Sequence, residues 1–525
     1  MLKVLISDKM SPLAEKTLLE RGLDVDVITD FTPAGLKAAI GAYDGLAVRS
    51  TTKVTADIFE AAKNLKVVGR AGIGVDNIDA VAATARGIVV MNTPYGNAIT
   101  TAEHAIAMIM AMARQIPQAN ASTHAGKWEK SRFMGMEVSG KTLGIIGCGN
   151  IGSVVADRAQ GLKMKVIAFD PFLTPERALY LGVEKVELDN LLGRADIISL
   201  HTPLTDATKG IIDATAIAKT RPGIRIVNCA RGGLVVEADL AAAIESGHVA
   251  AAGIDVFEEE PAHENLLFAF DNVIATPHLG AATNEAQVNV AIQVAEQISD
   301  FLLTGAVTNS INMPPVSAEE APLLRPYMTL AEQLGSFAGQ VTETAIRAVT
   351  ITYEGQVSAL NTKPLTSALL SGLLSPLLNS VNMVSAPVIA RERGISITEV
   401  RCEECGPYQR LIKLTVTTET QTRTISGTLF DGELPRIVEI KGIPMDASLG
   451  KYMLYVTNAD KPGLIGGLGT LFGNAGINIA TFHLGRATAG SDAIALVEVD
   501  LPIPKIIVDA VRKMPQVMQA KPLTF

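Results

Sequence analysis

The sequence predicts an α/β protein of several domains: two doubly wound parallel-sheet units, a further α/β block, and a tail in the ferredoxin-like order βαββαβ. Three observations carry this. Short β-branched runs alternate with helical patterns in two successive series. A glycine-rich turn, Gly147-Cys148-Gly149-Asn150-Ile151-Gly152, sits between a strand and a helix of the second series. Residues 451–525 read strand, helix, strand, strand, helix, strand. A chain of 525 residues also exceeds one ordinary core, since single domains cluster near ~100–200 residues.

In the first series the strands are Val4-Leu5-Ile6, Val25-Asp26-Val27-Ile28, Gly45-Leu46-Ala47-Val48, Val67-Val68-Gly69 and Ile88-Val89-Val90-Met91. They recur about every 20 residues, the spacing of βα units whose helices cover both faces of a parallel sheet. Residues 1–95 are assigned to this domain. The apolar stretch from Thr101 to Gln115 suits a long buried helix joining it to the next. The second series occupies residues 96–282, with strands at Leu143-Gly144-Ile145-Ile146, Val166-Ile167-Ala168-Phe169, Ile197-Ile198-Ser199-Leu200, Ile226-Val227-Asn228, Ala251-Ala252-Gly253-Ile254 and Val273-Ile274-Ala275. A helical pattern without breakers then runs from Thr283 to Leu303 and ends at Gly305, ahead of a linker at Met313-Pro314-Pro315. Residues 316–447 form the further α/β block and 451–525 the tail.

Hydrophobic residues make up 48% and charged ones 19%, enough apolar material for large cores and against extended disorder. The net charge of −9 and the absence of a Lys/Arg-dense stripe exclude nucleic acid as an expected partner. Four cysteines at 148, 229, 402 and 405 are too few and too scattered for a disulfide framework, which favours the cytoplasm. Cys402-Glu403-Glu404-Cys405 lacks the second ligand pair of a zinc site, so no metal is expected. Asp8 interrupts any apolar leader core at the N-terminus. Ala368–Ala390 carries no charge, but its prolines and asparagines favour a buried domain segment over a membrane span.

The glycine turn follows the strand Gly144-Ile145-Ile146 and opens a helical run. Gly147 allows the tight turn, Gly149 lets a pyrophosphate approach the backbone, and Gly152 lets helix and strand pack closely. Asp170 closes the next strand, where a carboxylate accepts hydrogen bonds from ribose hydroxyls and repels a 2′-phosphate. The unit is therefore Rossmann-like, and the expected cofactor is NAD. Gly72-Ile73-Gly74 lacks a third glycine and is not read as a second such site.

Three later segments place polar groups at strand ends: Asn228-Cys229-Ala230-Arg231-Gly232-Gly233, Asp255-Val256-Phe257-Glu258-Glu259-Glu260-Pro261 and Thr276-Pro277-His278-Leu279-Gly280. Oxidising an alcohol beside a carboxylate needs a base for the hydroxyl proton, a cation for the carboxylate, and an aligned hydride acceptor. His278, Arg231 and a nicotinamide fill those roles, with Glu260 as the partner that orients the imidazole. Singly, each residue also has a structural reading; their shared setting after a dinucleotide fold favours the chemical one.

Those segments, in order with Gly147–Gly152, Asp170 and His201-Thr202-Pro203-Leu204, resemble the signature of the D-2-hydroxyacid dehydrogenases over residues 1–310. The resemblance implies a flavodoxin-like substrate domain made of residues 1–95 plus 283–312. It implies Arg231 as substrate anchor, Glu260 as the histidine's partner and His278 as acid/base. It also sets Asn150, Ile151, Thr202, Cys229, Ala230, Asp255, His278, Leu279, Gly280 and Ala281 against the cofactor, with Ile73 nearby. His104 and His201 are not catalytic on this reading, and His104 is expected to be satisfied inside an apolar helix.

Arg49-Ser50 and Arg70-Ala71-Gly72 end strands of the first domain, facing the expected cleft. Paired guanidinium groups suit a dianionic phosphate. Arg132 is a third candidate. Residues 384–395 resemble the intervening allosteric-substrate-binding domain of the long, phosphoglycerate-oxidising members of that family. Asn458-Ala459-Asp460-Lys461-Pro462-Gly463 with Gly476-Ile477-Asn478-Ile479 resembles an ACT regulatory domain. That implies 3-phospho-D-glycerate as substrate, a homotetramer, and L-serine as an effector held by Asp460 and Asn478 beside Asn458. The alternatives are a glyoxylate or hydroxypyruvate reductase of the same family and a non-enzymatic NAD(H)-sensing binding module.

Overall fold

A computed structural model describes residues 2–378, 381–404 and 406–525. The Cys402–Cys405 pairing considered above falls outside them, because Cys405 is not described.

The first sheet comprises β1 (Lys3–Ile6), β2 (Asp24–Val27), β3 (Gly45–Val48), β4 (Val67–Arg70) and β5 (Val89–Asn92), all parallel in the order β2-β1-β3-β4-β5. This is the flavodoxin-like order, with its reversal between β1 and β3. The chain leaves it through α1 (Ala98–Arg114). The second sheet holds β6 (Thr142–Ile146), β7 (Lys165–Phe169), β8 (Glu184–Lys185), β9 (Ile197–Leu200), β10 (Ile224–Asn228), β11 (Val249–Ile254) and β12 (Val273–Ala275). Its order, β12-β11-β10-β9-β6-β7-β8, is that of a dinucleotide-binding sheet with the switch point between β6 and β9. The helix α2 (Asn150–Gly161) follows β6.

α3 (Asn284–Thr304) starts where Thr283 accepts a hydrogen bond from the Ala286 N–H and stops at Gly305, whose φ is 80°. It returns to the first sheet, burying Val290, Val294 and Ile298 with Val4, Ala47 and Val67. The approach is close: a Cβ on Gly69 would lie 2.6 Å from Val294 Cγ2.

Beyond the linker, α4 (Glu320–Val341) and α5 (Lys363–Leu374) pack on a six-stranded sheet. Its members are β13 (Ile346–Gly355), β14 (Ser396–Cys402), β15 (Arg410–Thr418), β16 (Thr422–Phe430), β17 (Leu434–Ile440) and β18 (Ile443–Ala447), in the order β14-β13-β15-β16-β17-β18. From Pro364 to Leu374 α5 is buried at every position, which accounts for the lack of charge there; among the described residues no helix is long and apolar enough to cross a membrane. The tail runs β19 (Tyr452–Ala459), α6 (Leu464–Asn474), β20 (Ile479–Arg486), β21 (Asp492–Val499), α7 (Lys505–Arg512) and β22 (Val517–Thr524), with sheet order β20-β21-β19-β22. That is the ferredoxin-like arrangement.

One hydrophobic core runs from Val4 and Ala47 of the first sheet through α3 and α4 to Tyr455 and Leu523 of the tail. The dinucleotide-binding unit has its own two cores, one on each face of its sheet.

Candidate active site

The cofactor end begins at Gly147, whose φ of 90° and whose Cβ position, 2.6 Å from the His201 carbonyl oxygen, admit only glycine. A Cβ on Gly152 would collide with the Gly147 carbonyl, so helix and strand meet there as tightly as the spacing requires. Gly149 differs: a Cβ on it would meet nothing within 4 Å, and the α2 N-terminus it caps has no side-chain cap. Free N–H groups, a positive helix end and open space fit an anionic pyrophosphate.

Asp170 follows β7, and its two oxygens accept hydrogen bonds from the Cys148 and Phe172 N–H groups, each at 2.8 Å. Each oxygen keeps capacity for a further donor such as a ribose hydroxyl. The residues present therefore fit a bound NAD. Burial, with Asp170's charge second, pushes the Cys148 thiol up to about 11, so it stays a neutral filler. His201 beside Thr202 is half-buried, and desolvation pushes its imidazole down to about 4; its Nε2 lies 2.8 Å from Ser199 Oγ.

At the C-terminal ends of β11 and β12 stand the proton-transfer candidates. His278 Nδ1 lies 2.7 Å from Glu260 Oε2, and Glu260 Oε1 accepts from the Phe257 N–H at 3.0 Å. Burial pushes the Glu260 carboxyl up, but the His278 and Phe257 hydrogen bonds outweigh it and hold the group below its ordinary range. A carboxylate on Nδ1 fixes the tautomer that leaves Nε2 free to take a proton. The His278 side chain is half exposed, and its backbone adopts φ 55°, a left-handed conformation rare outside glycine.

Asp255 holds that loop. Its Oδ1 accepts from Thr276 Oγ1 at 2.6 Å and from the Leu279 N–H at 2.7 Å; its Oδ2 accepts from the Gly280 N–H at 2.9 Å. Ala281 also accepts a hydrogen bond, from Gln287. Cys229 and Ala230 are buried at the end of β10, beside the loop's floor. His104 Nε2, Cys229 Sγ and Asp255 lie close enough together to suggest a metal. Burial first and Asp255's charge second drive the Cys229 thiol well above its usual value, and Asp255's oxygens are already taken by donors. A trio so occupied is not a metal site.

Opposite lie three guanidinium groups. Arg231 donates through Nε to Asp76 at 3.2 Å and through Nη1 to the Ala230 carbonyl at 2.6 Å. Arg70 has a buried Nε with no partner. Burial, then repulsion by Arg231, pushes Arg70 down to about 10, and Arg49 adds further repulsion. Arg49 donates to the Lys9 carbonyl at 3.1 Å, and burial lowers its affinity for the proton against Asp8's pull. Three cations, of which Arg49 and Arg70 are desolvated, with an orphaned donor make a cradle for a multiply charged anion. Two glycines clear it: a Cβ on Gly72 would collide with Arg70 Nη1, and one on Gly74 with Arg231 Nη2. Ile73 between them accepts from Asn92 Nδ2 at 2.6 Å.

Arg132 stands apart from these three within the chain. It pairs with Glu129 at 3.1 Å and Asp271 at 3.7 Å, beside the N-terminal end of β12, whereas the cleft lies at the C-terminal ends. Its own chain does not bring it to Arg49, Arg70 and Arg231. Ser50 is exposed at the rim. Sequence reasoning missed Asp76 and Asp8. Asp8 is buried and accepts from the Arg49 N–H at 2.6 Å and from Thr52 Oγ1 at 2.8 Å, so it shapes the loop that carries Arg49.

In the tail, Asp460 Oδ2 accepts from Arg486 Nη1 at 2.7 Å and the Gly490 N–H at 2.9 Å, while Asn478 Nδ2 donates to Asp500 at 2.9 Å. Asn458 is buried, with its Oδ1 unpartnered. All three effector candidates thus already bond within the chain, Asn458 by donating its Nδ2 to the Ala459 carbonyl.

Two family models match: the D-isomer specific 2-hydroxyacid dehydrogenase NAD binding domain over residues 106–280, and the D-3-phosphoglycerate dehydrogenase intervening domain over residues 323–441. The chain is 44% identical over 522 residues to a D-3-phosphoglycerate dehydrogenase of Bacillus subtilis, covering 99% of both. It is 43% identical over 511 residues to one of Archaeoglobus fulgidus, covering 96% of this chain and 97% of that one. Among solved structures, the TT0316 protein of Thermus thermophilus matches 59% of this chain and 100% of its own at 32% identity and a TM-score of 0.55. A glyoxylate reductase of a Paecilomyces species matches 59% of this chain and 98% of its own at 30% identity and the same TM-score. With this agreement over its whole length, and a dinucleotide turn, an imidazole–carboxylate pair and an arginine cradle in one cleft, the chain belongs to the D-3-phosphoglycerate dehydrogenases of the D-2-hydroxyacid dehydrogenase family.

Proposed function

We infer that the protein oxidises 3-phospho-D-glycerate to 3-phosphooxypyruvate with NAD⁺, the entry step to L-serine. The observation that carries the substrate is the cradle of Arg49, Arg70 and Arg231, in which the buried Arg70 Nε has no partner. A glycerate without its phosphate would leave part of that charge uncompensated.

When bound, NAD supplies the hydride acceptor. Arg231 anchors the substrate carboxylate and so positions the carbon that loses hydride. Arg70 and Arg49 hold the phosphate, fixing which end of the substrate meets His278. The free Nε2 of His278 takes the hydroxyl proton, and Glu260 balances the imidazolium that forms. Asp170, close to the glycine turn, favours NAD over NADP. Three further assignments belong to this reading: a cytoplasmic homotetramer, an ACT-type tail, and serine recognition through Asp460 and Asn478 beside Asn458. The last requires Arg486 and Asp500 to yield their partners.

The test is NADH-linked reduction of 3-phosphooxypyruvate against unphosphorylated hydroxypyruvate, each with and without L-serine. The expected result is a preference of at least ~100-fold in kcat/KM for the phosphorylated compound, the scale of losing charge-assisted hydrogen bonds to one group. Inhibition by serine supports the tail assignment; preference without inhibition leaves the tail an assembly domain. Preference for hydroxypyruvate would favour the glyoxylate or hydroxypyruvate reductase reading, and one solved relative is a glyoxylate reductase.

A further inference from the structure

The buried Asp255 carboxylate is fully enclosed, yet it is held below the ordinary carboxylate range despite burial, because hydrogen bonds from His104, Thr276 and the Leu279 N–H outweigh desolvation. Most of its donors come from the Thr276–Gly280 loop itself. Among the described residues one side chain outside that loop also reaches it: His104 on α1, whose Nε2 stands 3.2 Å from Asp255 Oδ1 and 3.4 Å from Thr276 Oγ1. Thr276 spends its own proton on Asp255, so the Nε2–H of His104 is the group that faces both oxygens.

We propose that His104 is a positioning residue for proton transfer at His278. Its Nε2–H completes the donor set of the Asp255 carboxylate, and that carboxylate folds the loop on which His278 is held in a left-handed conformation. The inference rests on the reading of His278 as the proton-transfer group. The chain of contacts is short: the His278 N–H bonds the Asp255 carbonyl at 2.9 Å, and the next two N–H groups bond its side chain. A conformation rare for histidine persists only while such contacts over-determine it. The helix carrying His104 is also the connection between the two catalytic domains, so the loop is tied to the element on which they meet.

The titratable groups facing Asp255 are His104 from α1, Cys229 from the end of β10, and Glu260 with His278 from the neighbouring loops. Cys229 remains a thiol and supplies no charge. Without the His104 donor, the carboxylate protonates more readily. A protonated Asp255 turns one oxygen into a donor, which cannot receive the Leu279 and Gly280 N–H groups.

The experiment compares His104→Phe, which keeps a ring and removes the donor, with His104→Gln, which restores an N–H donor. Both full-length proteins are assayed for reduction of 3-phosphooxypyruvate by NADH across pH. The expected result for His104→Phe is a fall in kcat of about 10- to 100-fold, the cost of a small misplacement of the reacting group. Its acid limb should move up by about one pH unit, the worth of one hydrogen bond to a charge. His104→Gln should stay within about 3-fold of the original enzyme with the limb unmoved. Equal losses in both with unchanged limbs would reduce His104 to packing and overturn the proposal, as would full activity in both. Should His104→Phe not fold, His104→Met against His104→Gln carries the same comparison. Turnover by the unaltered enzyme, and its loss in His278→Ala measured alongside, tests the underlying reading separately.

Discussion

His278→Ala is expected to lose at least ~10³-fold in kcat while binding NADH within about 3-fold of the original affinity, because general acid–base transfer supplies ~10²–10⁴-fold and cofactor affinity resides mainly elsewhere. The imidazole is half exposed and packs into no core, so its removal leaves the dinucleotide turn and Asp170 untouched. One complication is local: alanine tolerates φ 55° less well than histidine, by about 1 kcal/mol. His278→Asn removes that objection, since asparagine occupies the left-handed region readily and carries no group of comparable basicity. Both variants should therefore be inactive. Fluorescence titration with NADH, read beside stopped-flow hydride transfer, checks this; loss of NADH binding in the asparagine variant would contradict the assigned role.

Arg231→Ala should cost about 2–4 kcal/mol of transition-state stabilisation, or ~30- to 1000-fold in kcat/KM, the range for truncating one member of a hydrogen-bonded charge pair. It should do so without lowering thermal stability. Arg231 donates to Asp76, whose side chain is largely exposed and loses little when unpaired. Removing its charge also relieves the repulsion that helps push Arg70 down. A catalytic loss at unchanged or raised Tm distinguishes a substrate anchor from a structural ion pair. A fall in Tm with kcat/KM preserved would identify the latter. Parallel measurement on hydroxypyruvate separates the carboxylate from the phosphate: Arg231→Ala should impair both substrates, and Arg70→Ala chiefly the phosphorylated one.

Much of the architecture is legible because it is written in local signals. Thr283 and Gly305 bound α3 by ordinary capping chemistry, and Gly147, Gly149 and Gly152 announce their turn by spacing alone. The return of α3 to the first sheet is not local; it depends on a fit between Gly69 and Val294 that spacing does not encode. The same limit applies at the site. Gly72-Ile73-Gly74 lacks the third glycine of a dinucleotide turn, and the space its glycines clear for Arg70 and Arg231 appears only once two domains face each other. Asp8 reads as a charge that interrupts an apolar start and proves to be a buried brace for the Arg49 loop. Arg132 looks like a third cleft cation by type, yet two carboxylates hold it at the other end of the sheet. His104, in an apolar helix, gives no sign that its partner is Asp255, at the C-terminal end of β11.

The way the cores are partitioned bears on how the molecule comes apart. The first sheet, the block packed on α4 and the tail share one interior, and the first sheet and the tail each add a second of their own, whereas the dinucleotide-binding unit shares neither of its two. Such a division couples the stability of those three parts to one another more closely than to the dinucleotide-binding unit, and local openings follow that coupling and not the order of the chain. A nucleotide bound to one unit steadies that unit alone, while any ligand of the tail pulls directly on the half that carries Arg49 and Arg70.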